Sequence, residues 1–423
     1  MVNMNNKKNN RKQRKEEKEK VNKISNLKLM TLINKNSVIT FIVVMLILGA
    51  IIFGLVYNIR KGYTPQETAD NKKENVNYIW GEIKPGKKNE NNYTMVTSAD
   101  GIKVPVPTGY TASSVESERY VIGGFVIYEG TDDVTTSNQW EAQCNRNQYA
   151  WIPITDVSDM YWRDQTTGKK YGTRYFINGI PEYSKNVTLK NEPQTTDYDI
   201  QSTYLTQYLN GMSREDFLME MEIDFDKMLN SVATYGGFYI GRYETGDLSQ
   251  ATPVVKRMNE DLGNQNWWQM WKKARKLSGT SAGVQMIWGT QWDQTLKWLV
   301  DTEKKTLSEV GYNSTSWGNY ESSSFTYYKN TSKNTARKSS GVVGNIPSGS
   351  YEGANANNVY DLAGNMWEWT NESDNAGKGD TRYGRGGSCC YYRGDHEYAS
   401  NYELYEPNTN EQYGGMRCSL FIK

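Results

Sequence analysis

Four cysteines and one histidine are the only thiols and imidazole in this chain of 423 residues: Cys144, Cys389, Cys390, Cys418 and His396. So small a set excludes His-rich metal sites and multi-finger zinc architectures. Chemistry therefore has to run on carboxylates, thiols or binding surfaces. Residues 279–283 spell GTSAG, formally a nucleophile elbow at Ser281. That motif needs a strand before it and a helix after it, whereas here a helical pattern precedes and an apolar strand pattern follows. With His396 as the sole imidazole base, a serine triad is not expected. The GRGG at 384–387 lacks the spacing of a phosphate-binding loop, and Arg393, Gly394 and Asp395 spell an integrin-type tripeptide too short to carry weight.

Charge locates the chain before any fold does. Lys and Arg number 49 against 48 Asp and Glu, but residues 1–37 hold 11 basic residues and 3 acidic ones. The remainder is net acidic, so nucleic acid is not expected as a partner. Residues 38–57 (VITFIVVMLILGAIIFGLVY) carry no charge. As a helix they span about 30 Å, the thickness of a bilayer's hydrocarbon core. No small-x-small cleavage pattern follows, so the reading is a retained anchor and not a signal peptide. The basic excess before it predicts a cytoplasmic N-terminus and an extracellular C-terminal domain. Residues 1–37 are then a basic cytoplasmic tail and 58–114 a spacer. The Lys- and Asn-heavy composition suits a bacterial surface protein.

Beyond residue 100 the pattern turns to short aromatic-rich strands with Gly and Asn turns, and 13 Trp, 31 Tyr and 9 Phe exclude disorder of the whole. Residues 120–128 (YVIGGFVIY) and 149–154 (YAWIPI) read as strands. A helix is predicted over 213–232, with Ser213 and Asp216 as its N-cap signature and Phe217, Met221, Phe225, Met228, Leu229 and Val232 on one face. Tyr235 to Gly241 reads as strand. Two further helices are expected, at 265–277 with Trp267, Trp268, Trp271, Ala274 and Leu277, and at 292–302 with Trp292, Leu296 and Leu299. The mixture is α+β, helices packed on a small antiparallel sheet.

Several blocks, in order, resemble the sulfatase-modifying-factor family, the formylglycine-generating enzymes. They are residues 358–370 (NVYDLAGNMWEWT), 385–388 (RGGS), 415–417 (GMR), 237–244 (GFYIGRYE) and 149–154, covering about 115–423. The resemblance implies a C-type lectin-like variant of the fold. It also implies a structural calcium loop, with Asp361 and Glu368 supplying carboxylates and Gly364 and Met366 supplying carbonyls. Such an ion wants six to eight oxygens held by a tight turn; the alternative is a metal-free turn in which the two acids bond backbone N–H groups. The family's enzymes oxidise a substrate cysteine to formylglycine with copper(I), oxygen and two cysteines, three and eight positions after the GGS serine. From Ser388 those positions are Tyr391 and His396. Cys389 and Cys390 stand out of register, and on an extended strand they would point to opposite faces, unable to share one ion.

Outside a cell, an even number of cysteines favours disulfides. Adjacent cysteines rarely pair with each other, so Cys389 and Cys390 are expected to pair separately with Cys144 and Cys418, in either combination. Cys418 follows the GMR strand, which is expected to neighbour the RGGS strand. Residues 389–413 hold six Tyr among small polar residues, a composition suited to adaptable recognition. The resemblance to lectin-fold proteins points to Tyr391, Tyr392, Arg393, Asp395, Tyr398, Asn401 and Tyr402 as ligand contacts. The expected function is noncatalytic recognition of a protein, peptide or glycan. The alternatives are a formylglycine-generating-type oxidase using Cys389 or Cys390 with copper, acting on a cysteine of a sulfatase-like substrate, and a structural cell-envelope protein.

Overall fold

The computed structural model describes residues 78–79, 83, 85–164, 170–173, 176–177, 180–181, 207–208, 211–373, 381–390 and 397–423. The chain divides into two units, Met1–Asn75 and Val76–Lys423. The basic tail and the apolar span over 38–57 lie outside the described residues, among which no helix is long and apolar enough to cross a membrane.

The second unit is mixed α+β. Its first sheet is assembled from β1 (Tyr110–Ala112), β2 (Val126–Glu129) and β3 (Gln148–Pro153), which follows a short helix, α1 (Gln139–Asn145). Residues 120–124 do not join β2. Gly123 and Gly124 turn back on Tyr120 and Val121, and the Asp100 carboxylate accepts from the N–H groups of Val121 and Ile122. The strand expected over 120–128 therefore starts only at Val126. The folded part also begins before residue 115. Tyr93–Thr97 pairs with Lys103–Pro107 as a hairpin, and β1 pairs with β2. Residues 93–112, expected as spacer, are thus built into the domain, and Pro105 accepts a bond from the buried Tyr239 hydroxyl.

Helix α2 (Arg214–Tyr235) forms where the periodicity placed it. The Ser213 hydroxyl accepts from the Asp216 N–H at 3.0 Å, satisfying one of the orphan donors of the first turn. Phe217, Met221, Phe225, Met228, Leu229 and Val232 are all buried, each worth about 1.5–3 kcal/mol. The helix runs three residues further than predicted and stops at Gly236, whose φ of 80° takes the left-handed conformation. Strand β4 (Gly237–Gly241) consequently starts two residues after Tyr235. Helix α3 (Trp267–Arg275) opens on a reciprocal cap: Asn266 Oδ1 accepts from the Gln269 N–H, and Gln269 Oε1 accepts from the Asn266 N–H. Its Trp267, Trp268 and Trp271 surround Phe217 of α2. Strand β5 (Ala282–Met286) and helix α4 (Gly289–Asp301) follow, so Ser281 sits between a helix and a strand, the reverse of a nucleophile elbow.

The last part of the chain contributes β6 (Trp367–Ser373), β7 (Arg382–Arg385), β8 (Tyr402–Tyr405), β9 (Gly414–Met416) and β10 (Cys418–Ile422). The first sheet has the order β5-β10-β4-β3-β2-β1, antiparallel throughout. The second has the order β8-β7-β6-β9, with β6 and β9 parallel. The GMR segment therefore does not neighbour the RGGS segment directly. Strand β6 lies between them, pairing Glu368 with Arg385 on one side and with Gly415 on the other.

Candidate functional site

Strand β7 ends at Arg385, and what holds that end is a buried ion cluster. The guanidinium pairs with Asp293 of α4 and lies 3.4 Å from Glu372 of β6, all three side chains being at most 1% exposed. Immediately afterwards Gly386 and Gly387 take φ values of 89° and 73°. A Cβ on Gly386 would lie 3.2 Å from both the Leu362 carbonyl and the Trp292 ring, so this bend needs glycine on steric as well as dihedral grounds. Its backbone is pinned on both sides: its N–H donates to Asn401, and its carbonyl accepts from the Tyr320 hydroxyl and the Gly364 N–H.

The two glycines take residues 388–390 out of the strand, and Cys389 and Cys390 stand in a turn. Their sulfurs lie 2.9 Å apart. The expectation that they point to opposite faces is overturned, because strand alternation no longer applies past Gly386. Cys389 is buried and Cys390 half-buried. The two thiols share a hydrogen bond in which either sulfur can be the donor. That bond holds Cys390 down to about 7, against burial and with help from Tyr413, the Gly344 backbone and Lys338. The same bond, together with burial, pushes Cys389 far up.

The separate pairings with Cys144 and Cys418 are not formed, and all four cysteines are free. Cys418 lies in the core of the first sheet, where its sulfur accepts from the Thr245 hydroxyl at 3.4 Å. Cys144 sits on α1, a separate element, with Arg257, Lys333 and Lys256 as its charged neighbours.

Beneath the turn lies the segment 358–370. Cys389 N–H donates to the Asn365 carbonyl at 3.1 Å. The Asn365 side chain, fully buried, accepts from Asn319 and from the Ile346 N–H, and donates to Glu244 and to the Ile346 carbonyl. Glu244 also accepts from the Met366 N–H. These polar groups were not singled out from sequence. Glu244 ended a block whose resemblance was noted, and Asn365 stood inside the best-matched motif, but neither partner is readable from spacing.

The expected calcium ligands are close together in sequence but committed to protein partners. Arg417 forks onto Glu368, Nε to Oε2 at 2.8 Å and Nη2 to Oε1 at 2.5 Å, and also donates to the carbonyls of Gly241 and Tyr360. Asp361 accepts from the Gly349 N–H at 2.6 Å. Burial pushes Asp361 up to about 6 and Glu368 up to about 7, with Arg417 pulling the other way. Glu244 is raised by burial first and then by these two acids. Glu368 thus presents its oxygens to the Arg417 guanidinium, which would repel a cation beside it. Among the described residues no three His, Cys, Asp or Glu side chains converge on one point.

Of the seven expected ligand contacts, Tyr391, Tyr392, Arg393 and Asp395 lie outside the described residues, as does His396. Tyr398 and Asn401 are 8% and 2% exposed. Tyr402 is half-buried in β8, edge-on to Tyr383 and under the Arg385 guanidinium. A Tyr-rich composition reads as surface, but here the second sheet absorbs part of it. A concavity that sequence did not indicate adjoins the turn. It has a volume of about 450 Å³ and is lined by Glu260, Tyr327, Lys329, Asn345, Ile346 and Pro347. The stretch 344–347 joins the two, since Gly344 reaches the thiols and Ile346 bonds Asn365.

Residues 271–420 match the sulfatase-modifying factor enzyme 1-like domain. The match takes in the RGGS turn, the 358–370 motif and the GMR strand, so the sulfatase-modifying-factor likeness coincides with the site just described. A solved structure titled "Crystal Structure of CarF" is similar at 16% identity over 44% of this chain and 87% of its own, with a TM-score of 0.29. That likeness is too slight to bear on fold or function. No curated protein matches the chain.

Proposed function

We propose that the chain is a membrane-anchored, outward-facing recognition module that uses the sulfatase-modifying-factor scaffold without its copper chemistry. The observation that carries this reading is the register of the thiols. The positions of the family's two active cysteines hold Tyr391 and His396, and the nearest cysteines, Cys390 and Cys389, stand one and two positions before Tyr391. The concavity beside the turn supports recognition of a protein, peptide or glycan segment, because its lining mixes an acid, a lysine, a tyrosine, an amide and two apolar side chains. The apolar span over 38–57 would hold this face outside the cell.

A second reading has one observation in its favour. Two thiols in contact are the soft donor pair that copper(I) prefers, so Cys389 and Cys390 would hold the ion if the chain is a divergent formylglycine-generating oxidase. Bound there, copper would supply oxygen activation for oxidising a substrate cysteine. The full-length chain, given copper(I), oxygen, a reductant and a Cys-x-Pro-x-Arg peptide, separates the two. The recognition reading predicts no formylglycine mass change beside a working family enzyme. Turnover that disappears in a Cys389→Ser, Cys390→Ser double variant would replace it with the oxidase reading.

A further inference from the structure

We propose that Cys389 and Cys390 form a vicinal thiol–disulfide redox site that takes a small-molecule disulfide as its two-electron oxidant. The site goes beyond recognition and needs no metal. Three features of the turn carry it. The sulfurs are already 2.9 Å apart, so closing the bond needs little motion. One sulfur is reachable and the other is not: Cys390 is half-buried, Cys389 fully buried. An entering disulfide can therefore meet only Cys390, while Cys389 is positioned to resolve the product. The turn is also held in place independently of the thiols, by the Cys389 N–H bond to Asn365 and by the pinned Gly386.

The local charges suit this division of labour. Lys338 is buried beside the pair, its Nζ donating to the carbonyls of Tyr320 and Ser323 at 2.6 and 3.1 Å, and its field favours a thiolate at Cys390. The Glu244 charge disfavours ionisation at Cys389.

The chemistry balances without a metal. The Cys390 thiolate attacks one sulfur of the oxidant, forming a mixed disulfide and expelling one thiolate. Cys389 then attacks the Cys390 sulfur, its proton passing to the expelled thiolate, and the second half of the oxidant leaves as a thiolate that takes a proton from water. Two protein thiols are oxidised and one disulfide is reduced to two thiols. Adjacent Cα atoms are about 3.8 Å apart, whereas disulfides usually bridge about 4.4–6.8 Å. The ring is consequently strained, and strained disulfides are the readily reduced ones. That makes the pair a reversible redox site and not a structural staple.

Full-length chain, fully reduced, is exposed to oxidised glutathione, alkylated, digested with trypsin and weighed. The peptide spanning residues 386–393 contains both cysteines. The expected result is loss of two hydrogens with no glutathione retained, reversed by dithiothreitol. In Cys389→Ser the peptide should instead retain one glutathione at residue 390, and in Cys390→Ser the peptide should stay reduced. A wild-type peptide that keeps glutathione, or that stays reduced while Cys144 reacts, would overturn the proposal. Because the wild-type readout needs no substitution, a variant that failed to fold leaves the test intact. The formylglycine measurement reads a different product, so the two readings fail separately.

Discussion

Arg385→Leu should lower the stability of the folded chain by about 3–5 kcal/mol, measured as the shift of the urea midpoint at unchanged slope. Arg385 is fully buried at the end of β7, with Asp293 on one side and Glu372 on the other. Leucine fills part of the volume but leaves two buried acids without the cation between them, and an uncompensated buried charge is the costly half of a broken pair. The Tyr402 ring, now 5.6 Å from the guanidinium, also loses its cation–π partner. Replacing all three ionic side chains by apolar ones should cost much less than the single substitution, because the desolvation of every member is then removed. A loss below about 1 kcal/mol for Arg385→Leu, the range of an ordinary substitution, would mean that the cluster does not anchor the turn.

Trp292→Ala should cost a similar amount, about 3–5 kcal/mol, for a different reason. Trp292 is fully buried on α4, its ring rests against Gly386, and its Nε1 donates to the Ala399 carbonyl at 3.1 Å. Truncation leaves a cavity under the bend and an unsatisfied carbonyl on the chain that returns from it. Trp292→Phe keeps most of the packing and loses only the indole bond, so its cost should be visibly smaller. Equal losses for the two variants would show that the hydrogen bond, and not the ring, supports the turn.

How far the sequence reached depends on the kind of interaction. Helix α2 was legible because its signals are local: Ser213 sits three residues before Asp216, and its apolar stripe repeats at helical spacing. Helix α3 and strand β3 were legible for the same reason. The end of α2 was missed because Tyr235 and its terminator, Gly236, read from sequence as the opening of the next strand. At the site, the motifs 358–370, 385–388 and 415–417 were found, but their order in space was not, since no local feature says that β6 lies between β7 and β9. The Cys389 and Cys390 geometry was read from strand alternation, and the two preceding glycines, both in the left-handed region, cancel that rule. The Arg417 fork on Glu368 was invisible because it joins residues 49 positions apart, and it occupies the carboxylate expected for calcium. Tyr398 and Asn401 show the limit of composition: nothing in a Tyr-rich run says which side chains will be buried.

Differential alkylation of the native, reduced, full-length chain tests the account most directly, because everything above turns on where the four thiols stand. Peptide mapping over time should find Cys390 labelled well before Cys389, and Cys418 labelled only when the chain unfolds, since Cys418 is fully buried and burial pushes it up to about 12. Cys144, half-buried on α1, should label without unfolding. Cys418 labelling as fast as Cys390, or Cys390 resisting alkylation until the chain unfolds, would contradict the site as described.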